Sequence, residues 1–200
     1  MATRAVTGSE FIQSVVSGGA GLVPYRVVFD HLEISRTRLE QLVMQDRLDS
    51  VVICDDNGTP QKGITADSLR VFLKEKEQSA ANEVALEAEI YDYLMKFVSD
   101  HKKNGTRGET IKYGELMPKF GMSTRNPPDR KRIAVLLDRA SQRSAEEHGF
   151  LISTVVVRAN SGLPSSGYYQ MWSIQRKKAI PLASPGLRKV FDEELALIYG

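Results

Sequence analysis

Few residues of this 200-residue chain are spaced for chemistry. Pro128-Asp129-Arg130-Lys131 has the carboxylate–lysine order of metal-dependent nucleases, where several acidic side chains converge on a cation that polarises phosphate. Here one Asp stands beside the basic run Arg130-Lys131-Arg132, and that run argues against a bound cation. The glycine-rich phosphate loops GxxxxGK[ST] and GxGxxG do not occur. Ser, His and Asp are present, but no pattern pairs a nucleophile with a base. His31, His101 and His148 lie far apart and Cys54 is the only cysteine, so neither zinc-ligand spacing nor an intrachain disulfide is available. The expectation is no catalytic residue, no metal and no cofactor. Cys54 follows Val51-Val52-Ile53 and reads as a buried strand residue, with a reactive thiol as the alternative.

The chemistry on offer is cationic. Residues 102–143 hold eleven Lys/Arg against four Asp/Glu, whereas residues 1–82 hold nine against eleven. Lys112 and Arg125 precede a helix carrying Arg130, Lys131, Arg132, Arg139 and Arg143, and Arg158 follows it. Such density suits a polyanion, whose phosphates supply sequence-independent affinity; the alternative is a solvated face that keeps the domain soluble. A second set, Arg36, Thr37, Arg38 and Gln41, lies in the first turns of another helix. From there side chains reach phosphates and base edges. The alternative is the polar face of an ordinary amphipathic helix.

Positioning these sets requires two small domains, residues 1–76 and 83–200. In the first, residues 7–17 form a helix stopped by Gly18-Gly-Ala-Gly21. Pro24 opens Tyr25–Leu32. Ser35 then caps a helix over 35–48 whose Leu39, Leu42 and Val43 share one face. The β-branched run Ser50–Cys54 is a strand, Asp55-Asp-Asn-Gly58 a turn and Gln61–Ile64 the return strand. Thr65 caps a helix with Leu69, Phe72 and Leu73 inward.

Residues 20–74 resemble the excisionase/MerR-type winged helix-turn-helix module. The positions that carry the resemblance are Ser35-Arg36, Leu39, Leu42-Val43, Leu48 and Thr65-Ala-Asp-Ser-Leu69, about a quarter of the chain. It implies double-stranded DNA as partner, read by the helix bearing Arg36, Thr37, Arg38 and Gln41. The wing departs from the pattern: Asp55 and Asp56 stand where basic residues are usual. Carboxylates facing phosphate repel it, so this wing points elsewhere or the module contacts protein.

Glu75–Asn82 is polar and reads either as a linker or as continuous helix. Asn82 is expected to cap a helix with Leu86, Ile90, Leu94 and Val98 on one face. A strand over 109–113, a helix over 113–120 stopped by Gly121 and a long helix over 129–148 follow. Phe150–Val157 and Tyr168–Ile174 read as the two strands of a second wing, which would carry Arg158. The Ile-Lys-Tyr-Gly-Glu-Leu and Gly-Leu-Pro segments also resemble a winged-helix domain of uncharacterised bacterial and phage proteins, which implies no activity. Ser184-Pro185 opens a last helix with Leu187, Val190, Phe191, Leu195 and Ile198 aligned. That face packs at home or forms a homodimer.

The fold class expected is α+β, two winged helix-turn-helix-like domains. With 42% apolar and 26% charged residues and no run of about 20 apolar residues, a soluble cytoplasmic protein is expected, nuclear if the host has a nucleus. The expected function is non-catalytic, sequence-selective binding of double-stranded DNA, as a transcriptional regulator, a partition or replication accessory, or a recombination-directionality factor. The alternative is a protein-interaction adaptor, with a phage among its sources, that turns a DNA-binding fold toward another protein.

Overall fold

Ser35 sets the first local structure. Its side chain accepts the backbone N–H of Arg38 at 3.2 Å, satisfying one of the donors that a helix start leaves unpaired. In the computed structural model, which describes residues 8–19, 21–54, 60–181 and 184–200, this cap opens α3 (Arg36–Met44). The preceding helix α2 (Tyr25–Leu32) ends on Glu33 in the left-handed region, φ 54°. Helix, three-residue turn and helix thus follow one another as expected. Helix α3 stops at Met44 rather than at residue 48; Asp46 turns left-handed at φ 53°, which delivers Leu48 to the core, 1% exposed.

The chain divides into two units, Met1–Ala80 and Ala81–Gly200. The first also holds α1 (Gly8–Val16), β1 (Leu22–Pro24), β2 (Ser50–Cys54), β3 (Pro60–Thr65) and the start of α4 (Ala66–Lys103). Strands β2 and β3 pair antiparallel, with Val52 opposite Lys62, as the sequence predicts. Strand β1 is an addition: it pairs antiparallel with β3 to give the order β1-β3-β2. Three residues are too few to show a period, and the approach depends on Gly63, where a Cβ would lie 3.1 Å from that of Leu22. Val23, Val28, Leu39, Ile64 and Leu69 are fully buried and gather with Ile12 and Leu42 in one core. Thr65 accepts the N–H of Ser68 at 3.3 Å and so caps α4. The side chain of Cys54 and the turn expected over 55–58 lie outside the described residues.

Residues 75–82 are helical within α4, so Asn82 sits inside that helix and is not its cap. The second unit continues with β4 (Ile111–Lys112), α5 (Tyr113–Leu116) and a 3₁₀ turn over Met117–Phe120, which Gly121 ends at φ 68°. Then come α6 (Pro127–His148), β5 (Val156–Val157), α7 (Ser166–Arg176) and α8 (Ser184–Tyr199). Ile90, Leu94 and Val98 meet Ile133, Leu136 and Ala140 in its main core. The last helix packs at home: Ile198 and Tyr199 join that core, and Val190 joins Tyr168 and Trp172.

The second wing is corrected. β5 is two residues long and pairs parallel with β4, Ile111 opposite Val156, while Tyr168–Ile174 is helical. Two causes act together. Tyr168, Tyr169, Met171 and Trp172 are all buried, a spacing that makes one helical stripe. Upstream, every residue from Leu151 to Val157 is buried, and serines of α6 take over the hydrogen bonds a strand partner would make. The N–H of Ile152 donates to Ser144 Oγ at 2.9 Å and that of Ser153 to Ser141 Oγ at 2.9 Å. Ser144 Oγ in turn donates to the carbonyl of Phe150 at 2.8 Å. Buried backbone polar groups need partners, and here side chains provide them. The chain is accordingly α+β, with no hairpin among the described residues of the second unit.

Candidate nucleic-acid interface

In the first unit the buried pair Leu39 and Leu42 turns the opposite side of α3 outward, and Arg36, Thr37, Arg38 and Gln41 are all exposed. Arg36 Nε lies 3.1 Å from Glu40 Oε1, and Arg38 donates to Gln41 Oε1 at 3.1 Å. Exposed pairs of this kind contribute little, so an incoming acceptor displaces them at small cost.

Arg36 is not alone. With Arg26 of α2 and Lys62 of β3 it lines a cavity of about 470 Å³, beside Tyr25, Phe29, Val52 and Pro60. Among the described residues Arg26 pairs with Asp30, at 3.8 Å and well exposed. A unit with more carboxylates than cations therefore sorts its charge, placing three cations around one concave surface between α2, the start of α3 and the hairpin. Sequence reasoning missed Arg26 and Lys62. The signal lies only in the β2–β3 register, which puts Lys62 level with Val52, and in the fold back of β3 toward α2.

Several cations of the second unit have ion-pair partners. Arg132 is 2.6 Å from Glu83 of α4. Arg143 is 2.8 Å from Glu147 and sits 4.0 Å over the Tyr91 ring. Those two brace α6 against α4. Hydrogen bonds from Tyr91 and Arg143 hold the Glu147 carboxyl below its usual range, while burial and Glu147 push the Tyr91 phenol up to about 12. Lys112 lies 3.7 Å from Glu115. Arg130 donates to the Thr124 carbonyl at 2.8 Å. Arg158 is not on a wing; it follows β5, its N–H donating to the Leu163 carbonyl at 2.9 Å. Arg125, Lys131 and Arg139 are exposed, with no ion pair among the described residues.

The nuclease-like Asp129 has a structural role: its carboxylate accepts the N–H of Ser123 at 2.8 Å, tying the preceding loop to the first turn of α6. Among the described residues no three His, Cys, Asp or Glu side chains are placed to hold a metal ion. No described helix is long and apolar enough to cross a membrane. No protein-family model matches the chain, and neither does any curated protein or solved structure.

Proposed function

We propose that the chain binds double-stranded DNA without catalysing a reaction, with residues 20–74 acting as a winged helix-turn-helix module of the excisionase/MerR kind. The convergence of Arg26, Arg36 and Lys62 on one cavity carries this reading. Guanidinium and ammonium groups on a concave surface beside an exposed polar helix face suit a phosphate backbone passing alongside the bases that the helix reads. In this reading Arg38, Thr37 and Gln41 meet base edges, Arg36 with Arg26 and Lys62 holds phosphate, and Arg125, Lys131 and Arg139 add long-range attraction. Regulation of transcription, partition or replication accessory work, and control of recombination direction all use such a module, in the cytoplasm.

The test is an electrophoretic shift series on random and preferred duplexes at rising salt. The wild-type chain should lose affinity steeply as salt rises. Reversing Arg26, Arg36 and Lys62 to Glu should abolish binding with the fold intact, since the side chains of Arg26 and Arg36 are 87% and 70% exposed. A folded triple variant that binds as tightly as the parent overturns the reading.

A second reading, a protein-interaction adaptor, is favoured by exposed apolar groups of the first unit. Met44 is 84% exposed, and Val51 and Val52 of the edge strand β2 are 39% and 54% exposed. An edge strand with exposed valines offers backbone hydrogen bonds and apolar area to an extended peptide.

A further inference from the structure

The second unit contains a cavity of about 460 Å³ between α5, the first turns of α6 and the loop after β5. Its size falls in the usual range for small-molecule sites, roughly 300–1,000 Å³. The walls are largely apolar: Met117 and Ile133, each 1% exposed, with Ala134 and Ala159. Two guanidiniums, Arg130 and Arg158, line the same space.

Neither arginine has an ion-pair partner among the described residues, and no carboxylate lines the cavity. Arg130 is held in place by one bond to the Thr124 carbonyl at 2.8 Å, which leaves most of its five N–H donors available. Tyr113 edges the cavity with its hydroxyl 3.4 Å from Ser165 Oγ. Burial pushes its phenol up, so it stays a neutral donor at ordinary pH. Both arginines are exposed, the cavity offers them no counter-charge, and its apolar lining is left uncovered. The partner that supplies both deficits is an anionic head on an apolar body.

We propose that this cavity binds a small organic anion, a carboxylate, sulfonate or phosphate on an aromatic or aliphatic body, with Arg130 and Arg158 receiving the head and Met117, Ile133 and Ala134 receiving the body. The site is an effector pocket separate from the surface of the first unit, and it stands whether or not the chain binds DNA. A duplex backbone does not fit the same description, because its phosphates bring no apolar group to bury against Ile133.

The probe is 1-anilinonaphthalene-8-sulfonate, titrated by fluorescence into the full-length chain at 0.15 M salt, with N-phenyl-1-naphthylamine as its uncharged counterpart. Saturable binding of one dye per chain is expected. Arg130→Gln with Arg158→Gln should weaken the sulfonate at least about tenfold, the loss expected for charge-assisted hydrogen bonds, and leave the uncharged compound within about twofold. Ala134→Trp, which fills the cavity, should remove both. Should the double variant fail to fold, Arg158→Gln alone carries the charge test, because its side chain makes no hydrogen bond among the described residues. Three results overturn the site: no saturable binding, binding untouched by these variants in folded protein, or displacement of the dye by random duplex, which would return the two arginines to a nucleic-acid surface.

Discussion

Ser141 on α6 donates its hydroxyl to Ser153 Oγ at 2.6 Å and accepts the backbone N–H of the same residue at 2.9 Å. Both serines are buried, Ser141 completely. The pair fastens the 3₁₀ turn over 152–155 to the long helix and keeps that segment out of a sheet. Ser141→Val would leave the Ser153 N–H unsatisfied, and an orphaned buried donor costs about 1–3 kcal/mol. Chemical denaturation should register that loss with an unchanged slope. A smaller loss for Ser141→Thr, which keeps the hydroxyl, would tie the effect to the hydrogen bond.

Arg176 and Glu194 form the most buried ion pair among the described residues, 2.6 Å apart with Glu194 4% exposed at its side chain. Trp172 Nε1 donates to the same carboxylate at 3.2 Å, and Arg176 also donates to the Gly149 carbonyl at 2.9 Å. Glu194→Ala should be strongly destabilising, by about 3–5 kcal/mol, because it strands a half-buried guanidinium. Trp172 fluorescence should red-shift in the folded variant as its partner is lost. Deletion of residues 185–200 should lower the melting temperature at least as far, since α8 contributes Val190, Ile198 and Tyr199 to the cores.

Alkaline pH should loosen the second unit. Burial, and then the Glu109 carboxylate, push the Tyr199 phenol up to about 12, and its hydroxyl donates to the Glu109 carbonyl at 2.7 Å. In the unfolded chain a tyrosine titrates near about 10. The folded state therefore binds the extra proton between these values. The stability it confers is complete below about pH 10 and is lost as pH rises toward 12. Denaturation midpoints followed from pH 9 to 12 should fall more steeply for the parent than for Tyr199→Phe.

The recognition face should divide by role. Arg38→Ala and Gln41→Ala should each weaken a preferred duplex by about 1–3 kcal/mol and leave random duplex nearly unchanged, as base contacts do. Arg36→Ala should weaken both, because Arg36 shares its cavity with Arg26 and Lys62. Equal losses on both duplexes for Gln41→Ala would limit α3 to backbone contacts.

Reversal of Arg125, Lys131 and Arg139 to Glu should lower the salt dependence of duplex binding and leave stability unchanged, since all three are exposed. Reversal of Arg132 or Arg143 should instead lower stability, through loss of the links to Glu83 and to Tyr91 with Glu147. A melting-temperature series separates the two groups without any DNA present.

What the chain determined locally was short in range. Ser35 as cap, Leu39 and Leu42 as the inward pair and the β2–β3 pairing depend on neighbours a few residues apart, so spacing alone exposed them. Tyr168-Tyr-Gln-Met-Trp172 carried two messages at once: aromatic content favoured a strand, while positions 168, 169, 171 and 172 fit a helical stripe. Only the tertiary structure chose between them, because Ser141 and Ser144 satisfy the backbone of residues 150–153 and no hairpin partner is needed. Charge followed the same rule. The density of residues 102–143 was plain in the sequence, but Arg132 and Arg143 pair at the surface with carboxylates far away in the chain or on the next helical turn. Three cations that share a surface, Arg26, Arg36 and Lys62, come from two helices and a strand, and side chains so placed meet only after the chain has folded back on itself.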